Sequence, residues 1–234
     1  QPEAWNRELS TGAQLFTAQL SVEKSGVLTQ ELESCQQLQE LEPDNKWCLL
    51  TIILLMRAVD PLKYEAETLK YFEELLKTDP CRAGYFQDLR TKFVIENILT
   101  RSEQTAGPIR HIDLSDRGLT TLCHMEHMTL MTDVNLSSNR LRSLRACHAL
   151  QCVSSLQVDG NGLQQVDLPS LPCLHTLSLK ANAIATLQGL ERLQSCSSLQ
   201  TLDLSSNPVC DFPDFRQKMK DLLPQLTSLN GQAF

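Results

Sequence analysis

Hydrophobic and polar positions change their period along this 234-residue chain. Near the start, Phe16, Ala18, Leu20 and Val22 alternate with polar neighbours, the period of two that marks a half-buried strand. A lone strand has no independent stability, so residues 1–25 are expected to be the tail of a β domain that begins upstream of Gln1. From 26 to 104 the period lengthens to that of helices. The first helix, about 26–41, carries Leu28, Leu32, Cys35 and Leu38 on one stripe and stops before Pro43. Asp44 or Asn45 is placed to cap the second, 46–59. Its sequence, WCLLTIILLMRAV, is apolar on nearly every side, which predicts burial on most faces. The third places Leu69, Phe72 and Leu76 together. Asp79-Pro80 opens the fourth, with Tyr85, Leu89 and Phe93 along one side. Pro43 and Pro80 each head the second helix of a pair, predicting stacked antiparallel helix pairs in an α-helical superhelix, an α-α repeat. A Thr-Ala-Gly-Pro linker follows at 105–108.

From 109 to 234 a third pattern takes over. The spacing L-x-x-L-x-L-x-x-N-x-L recurs five times. It runs through Ile112-x-Leu114, Val134-x-Leu136, Leu156-x-Val158, Leu177-x-Leu179 and Leu202-x-Leu204, and the Asn-equivalent positions are 117, 139, 161, 182 and 207. Only the first is not Asn; Arg117 stands there. Each repeat offers one short parallel strand whose apolar side a single repeat cannot bury, so stacking builds the core. The Asn turns the chain out of the strand, and its amide satisfies backbone groups that would otherwise be buried unpaired. The fold expected here is an α/β leucine-rich-repeat solenoid. Phe212, Phe215, Met219, Leu222, Leu223, Leu226 and Leu229 form an amphipathic stretch that closes it.

Outward positions of these strands form a polar concave face. Asp133, Asn135, Gln157, Asp159, Ser178 and Lys180 are its central residues, flanked by His111, Asp113, Ser115, Ser137, Ser155, Thr176, Thr201, Asp203 and Ser205. They are the candidate protein-binding site. The equally simple alternative is a solvated face that keeps the solenoid in solution.

Composition narrows the chemistry. Lys and Arg number 21 against 28 Asp and Glu, a net charge of −7, which argues against nucleic acid as a partner. The longest apolar run, 47–56, is too short to span a bilayer. Nine cysteines are scattered with no C-x-x-C pair and are expected to be reduced, small core residues in a reducing compartment. Cys123-His124-x-x-His127, with Cys147-His148 one repeat later, has the ligand types for zinc but lacks a second pair at closed spacing. No phosphate loop, G-x-S-x-G or H-E-x-x-H occurs. No catalytic, cofactor-binding or metal-ligating residue is assigned. On these grounds alone the chain reads as an independent leucine-rich-repeat adaptor.

One segment carries a more specific resemblance. Leu38-Gln39-Glu40-Leu41-Glu42-Pro43-Asp44-Asn45-Lys46-Trp47-Cys48-Leu49-Leu50 and onward to Ala58 resembles the α subunits of Rab geranylgeranyltransferase, or geranylgeranyltransferase type II. Leu20 to Ser25 and Tyr85 to Arg90 agree with it, as does the order of strand tail, helices and repeats. Pro43-x-Asn45 keeps part of the general prenyltransferase α repeat, while Trp47 and Arg57 depart from that family's usual offsets. The resemblance implies a heterodimeric, cytoplasmic prenyltransferase that attaches geranylgeranyl groups to C-terminal cysteines of Rab GTPases. It implies that zinc and the lipid pocket belong to the β subunit, and that the Rab escort protein docks on the helical region and presents the Rab. It also implies that residues 1–25 end an immunoglobulin-like insert and that this part of the subunit holds no catalytic residue.

Overall fold

A computed structural model of the chain describes residues 25–103, 110–123 and 125–234. The strand expected within 1–25, its immunoglobulin-like assignment and the linker at 105–108 lie outside the described residues. The chain divides into two compact units, 1–86 and 87–234, and the division falls inside a helix.

In the first unit, α1 (Ser25–Leu41), α2 (Lys46–Val59) and α3 (Glu65–Thr78) are followed by a 3-10 turn, Pro80–Arg82, which runs into α4 (Ala83–Glu103). Helix α2 starts where the capping residues place it. The Asn45 side chain accepts the N–H groups of Trp47 and Cys48 at 3.1 and 3.2 Å, satisfying two donors that the first helical turn leaves free. Leu49, Leu50, Ile52, Ile53, Leu55 and Met56 are buried, as a helix that is apolar nearly all round requires. Leu32 of α1 packs on Ile52, Leu55 and Met56. Each such side chain contributes about 1.5–3 kcal/mol.

Four expected details differ. On α1 the stripe ends at Cys35, and Leu38 is 53% exposed. On α3 the buried row is Glu65, Thr68, Phe72 and Leu75 rather than Leu69, Phe72 and Leu76. Thr68 can be inside because its hydroxyl reaches the Met56 sulfur at 3.6 Å, so the helix turns by about one position. On α4, Phe86 is buried while Tyr85 is exposed, its ring edge-on to Phe86 at 5.7 Å. Asp79 does not cap α4. Its carboxylate instead accepts Lys46 Nζ at 3.1 Å and Arg82 Nη1 at 2.8 Å, and the turn after Pro80 starts the helix.

In the second unit, the α4 residues from Gln87 onward precede a single sheet. Its strands are β1 (His111–Asp113), β2 (Asp133–Asn135), β3 (Ser155–Gln157), β4 (Thr176–Ser178), β5 (Thr201–Asp203), β6 (Ser228–Leu229) and β7 (Gln232–Ala233). They are ordered β1 to β7, and every pairing is parallel except the last. Register is uniform: Ile112, Val134, Leu156, Leu177, Leu202 and Leu229 stack in one row. Leu114, Leu136, Val158, Leu179 and Leu204 form a second row, all buried. A uniform register follows from the near-constant repeat step, since a slip of one residue would turn every apolar side chain to solvent.

Helix α5 (Phe215–Leu222) closes the far end, burying Phe215 and Met219 beside Leu223, Leu226 and Leu229. Phe212, expected among them, is 46% exposed. It follows a 3-10 turn, Pro208–Asp211, from which Val209 fills the buried position. Asn230-Gly231, both at positive φ, fold β7 back on β6, so the last parallel edge is covered. The Phe234 ring sits under Arg216 and Lys220, each 4.5 Å from its centroid.

Candidate functional site

All fifteen sequence-selected positions of the concave face fall on the outward side of the sheet, and none is buried. The register sorts them into three rows. His111, Asp133, Ser155, Thr176 and Thr201 form the first, and Asp113, Asn135, Gln157, Ser178 and Asp203 the second. Ser115, Ser137, Asp159, Lys180 and Ser205 follow two residues on.

Their polar atoms are mostly engaged with one another. His111 Nδ1 lies 3.0 Å from Asp133 Oδ2. Asp159 Oδ1 accepts the Ser178 hydroxyl at 2.6 Å and the Lys180 N–H at 2.8 Å. Lys180 Nζ reaches Asp203 at 3.2 Å, and Asn135 Oδ1 accepts the Ser137 N–H at 3.0 Å. Hydrogen bonds from the Ser115 hydroxyl and N–H hold the Asp113 carboxyl below the ordinary carboxylate value. Burial pushes Asp203 upward, but hydrogen bonds from Ser205 and Lys180, with the lysine's charge, outweigh it and lower the carboxyl. The face is thus preorganised: its side chains are held by neighbours on the same strand or one repeat away. Ile112 and Val134 line the floor of a shallow depression over the first three strands, walled by His111, Asp113, Asp133 and Gln157.

Among the described residues no three His, Cys, Asp or Glu side chains converge on one point. His124 and the His127 side chain lie outside the described residues, so the zinc candidate at Cys123 is not placed. No disulfide links the nine cysteines. Cys147 is fully enclosed, and burial, with the negative charge of Asp167, pushes its thiol up to about 12, the opposite of an activated nucleophile. Among the described residues no helix is long and apolar enough to cross a membrane.

A leucine-rich-repeat family profile matches residues 91–233. The chain belongs to the leucine-rich-repeat family. The repeats also resemble the crystal structure of the Drosophila melanogaster SNF/U2A′ complex, with TM-score 0.51 and 25% identity over 53% of this chain and 74% of that one. Similarity to curated proteins extends further than the repeats. The chain is 48% identical over 229 residues to the geranylgeranyl transferase type-2 subunit alpha of Sus scrofa, covering 97% of this chain and 40% of that protein. Against the subunit of Rattus norvegicus the identity is 47% over 230 residues. The chain therefore spans about two fifths of the length of these relatives.

Three features of the leucine-rich repeats escape the sequence pattern. The residue before each Asn position takes a left-handed conformation: Asp116, Ser138, Gly160, Ala181 and Ser206, with φ between 50° and 62°. Only one of the five is glycine, so no turn signature marks the row. Asp167 is buried, and its carboxylate accepts the Ser143 hydroxyl at 2.6 Å, the Leu144 N–H at 2.7 Å and Arg145 Nε at 3.2 Å. It anchors the start of the 3-10 turn Arg145–Ala149. The third feature is the helix end of the array. Within the second unit, Arg90 Nη1 donates to the Arg117 carbonyl at 2.7 Å, and Asp88 accepts the Thr121 hydroxyl at 2.9 Å. Asp88 and Arg90 thereby tie this helix to the first repeat, and the profile match likewise begins inside α4. Arg117 at an Asn position was the available signal that the first repeat borders something other than another repeat.

Proposed function

We propose that this chain is part of the α subunit of a Rab geranylgeranyltransferase. That heterodimeric enzyme transfers geranylgeranyl from geranylgeranyl diphosphate to C-terminal cysteines of Rab GTPases. The observation that carries this reading is the extent of the similarity: 97% of the chain, the helices as well as the repeats, aligns with type-2 α subunits at 48% identity. An independent leucine-rich-repeat adaptor would need only the repeats to be shared.

In this reading the chain supplies scaffold and docking surfaces, and the chemistry lies elsewhere. Zinc and the lipid pocket are assigned to the β subunit. The helices α1 to α4 are stacked helical repeats that contribute to docking of the Rab escort protein, which delivers the Rab. The concave face, centred on Asp133, Asn135, Gln157, Asp159, Ser178 and Lys180, is a docking surface for a protein partner, and the setting is cytoplasmic. The test is a transfer assay with labelled geranylgeranyl diphosphate, escort protein and a Rab. A polypeptide containing this chain transfers label only when a prenyltransferase β subunit is added. Turnover in its absence would overturn the proposal.

A further inference from the structure

A second hollow lies away from the concave face, on the side where the chain leaves each strand. Arg142, Gly162, Gln164, Gln165, Thr186 and Gln188 line about 400 Å³ there. They come from equivalent loops of three successive repeats, just after Asn139, Asn161 and Asn182. The lining holds one cation, three side-chain amides and one hydroxyl, with no carboxylate.

Charge is segregated around it. The loops 138–145, 160–165 and 181–188 contain three arginines and no acidic residue, and Asp167, just beyond the second, is buried against Ser143, Leu144 and Arg145, whereas the concave face carries Asp113, Asp133, Asp159 and Asp203. Of these arginines Arg145 is occupied by Asp167 at 3.2 Å, as Lys180 beside them is by Asp203 at 3.2 Å, and Arg140 lies outside the lining. Arg142 forms an ion pair with no described residue and is exposed. A Cβ on Gly162 would lie 3.9 Å from Arg142 Cγ and 3.5 Å from the Leu141 carbonyl, so the Arg142 stem passes Gly162 at contact distance and a larger side chain there would enter the lining.

We propose that this hollow binds an acidic peptide segment of a protein partner, with Arg142 taking a side-chain carboxylate and Gln164, Gln165 and Gln188 donating around it. A guanidinium meets a carboxylate through two parallel hydrogen bonds, and amide donors extend along a peptide without adding charge. Nucleic acid is disfavoured, because one arginine in a chain of net charge −7 does not make the basic stripe that a phosphate backbone requires. The site is independent of whether the chain belongs to a prenyltransferase.

The experiment is a titration of the isotopically labelled 234-residue chain with a hexaglutamate peptide, followed by side-chain amide and guanidinium NMR signals. Hexaglutamine and inorganic phosphate are run alongside. Saturable shifts of Arg142, Gln164, Gln165 and Gln188 are expected with hexaglutamate alone. Arg142→Gln should weaken binding about tenfold, and Gly162→Leu, which fills the hollow at a position without positive φ, should do the same. Arg192→Gln, on the 3-10 turn Leu190–Ser195, should leave it unchanged and so separates site binding from general attraction. Equal affinity of wild type and Arg142→Gln overturns the proposal, as do shifts confined to other surfaces or an equal response to phosphate. If Gly162→Leu does not fold, the exposed Arg142→Gln decides alone.

Discussion

Arg90, on α4, donates from Nη1 to the main-chain carbonyl of Arg117, in the first leucine-rich repeat, at 2.7 Å. The Asn of the next repeat, Asn139, serves the Leu114 carbonyl and the N–H groups of Arg117 and Leu119; the Arg117 carbonyl takes its donor from the helix instead. Arg90→Ala should therefore loosen the first repeat selectively. A charged donor lost from a carbonyl costs about 1.5–3 kcal/mol. Hydrogen exchange should show Ile112 to Leu119 losing protection before Leu156 to Leu204. Uniform loss across the sheet would contradict the capping role.

Asn139 is 6% exposed and uses its whole amide. Its Oδ1 accepts the N–H groups of Arg117 and Leu119, and its Nδ2 lies within hydrogen-bonding reach of the carbonyls of Leu114, Leu136 and Ser137. Asn139→Ala leaves several of these unserved and should cost about 2–4 kcal/mol in urea denaturation, at 1–3 kcal/mol for each buried group left without a partner. Asn161, less deeply buried, should cost less. An effect near zero at Asn139 would be incompatible with the ladder.

Backbone conformation gives two opposite expectations. Ala181 has φ 50°, so Ala181→Gly should raise stability by about 0.5–1 kcal/mol. Gly189 has φ 91°, and an added Cβ would stand 2.8 Å from the Val166 carbonyl oxygen. Gly189→Ala should lower the thermal midpoint markedly. A higher midpoint for Gly189→Ala, or a lower one for Ala181→Gly, would refute this reading of the turns.

How much of this was legible in the sequence follows from where each demand arises. The Asn ladder was legible because the same backbone need recurs at a near-constant step. The outward rows from His111 to Ser205 were legible because a strand alternates strictly. The turn of α3 was not: a buried threonine is hidden from a reading of apolar spacing, and its partner Met56 lies on another helix. Asp167 was missed for the same reason, since the Leu144 N–H it accepts is 23 residues earlier. The left-handed row was obscured because aspartate, serine and alanine occupy positions that glycine would have advertised.

Asp79 links stability to pH in the helical unit. Burial alone would raise its carboxyl, but hydrogen bonds from Lys46 and Arg82 and their charges outweigh that and hold it below its ordinary 3.8. A carboxyl lowered by folding contributes stability that is present above the unfolded value and lost as pH falls through the folded one. Asp79→Asn should therefore destabilise the chain near neutral pH and differ progressively less from wild type below pH about 4. A difference that stayed constant down to pH 2 would remove the ion pairs from the account.

The central claim, that this chain is a docking portion of a prenyltransferase α subunit, is tested most directly by its assembly. A polypeptide containing the chain is co-expressed with a tagged prenyltransferase β subunit and recovered through the tag. Stoichiometric recovery that survives size-exclusion chromatography is the predicted result. Complete separation of the two, with the chain folded and monomeric, would contradict it.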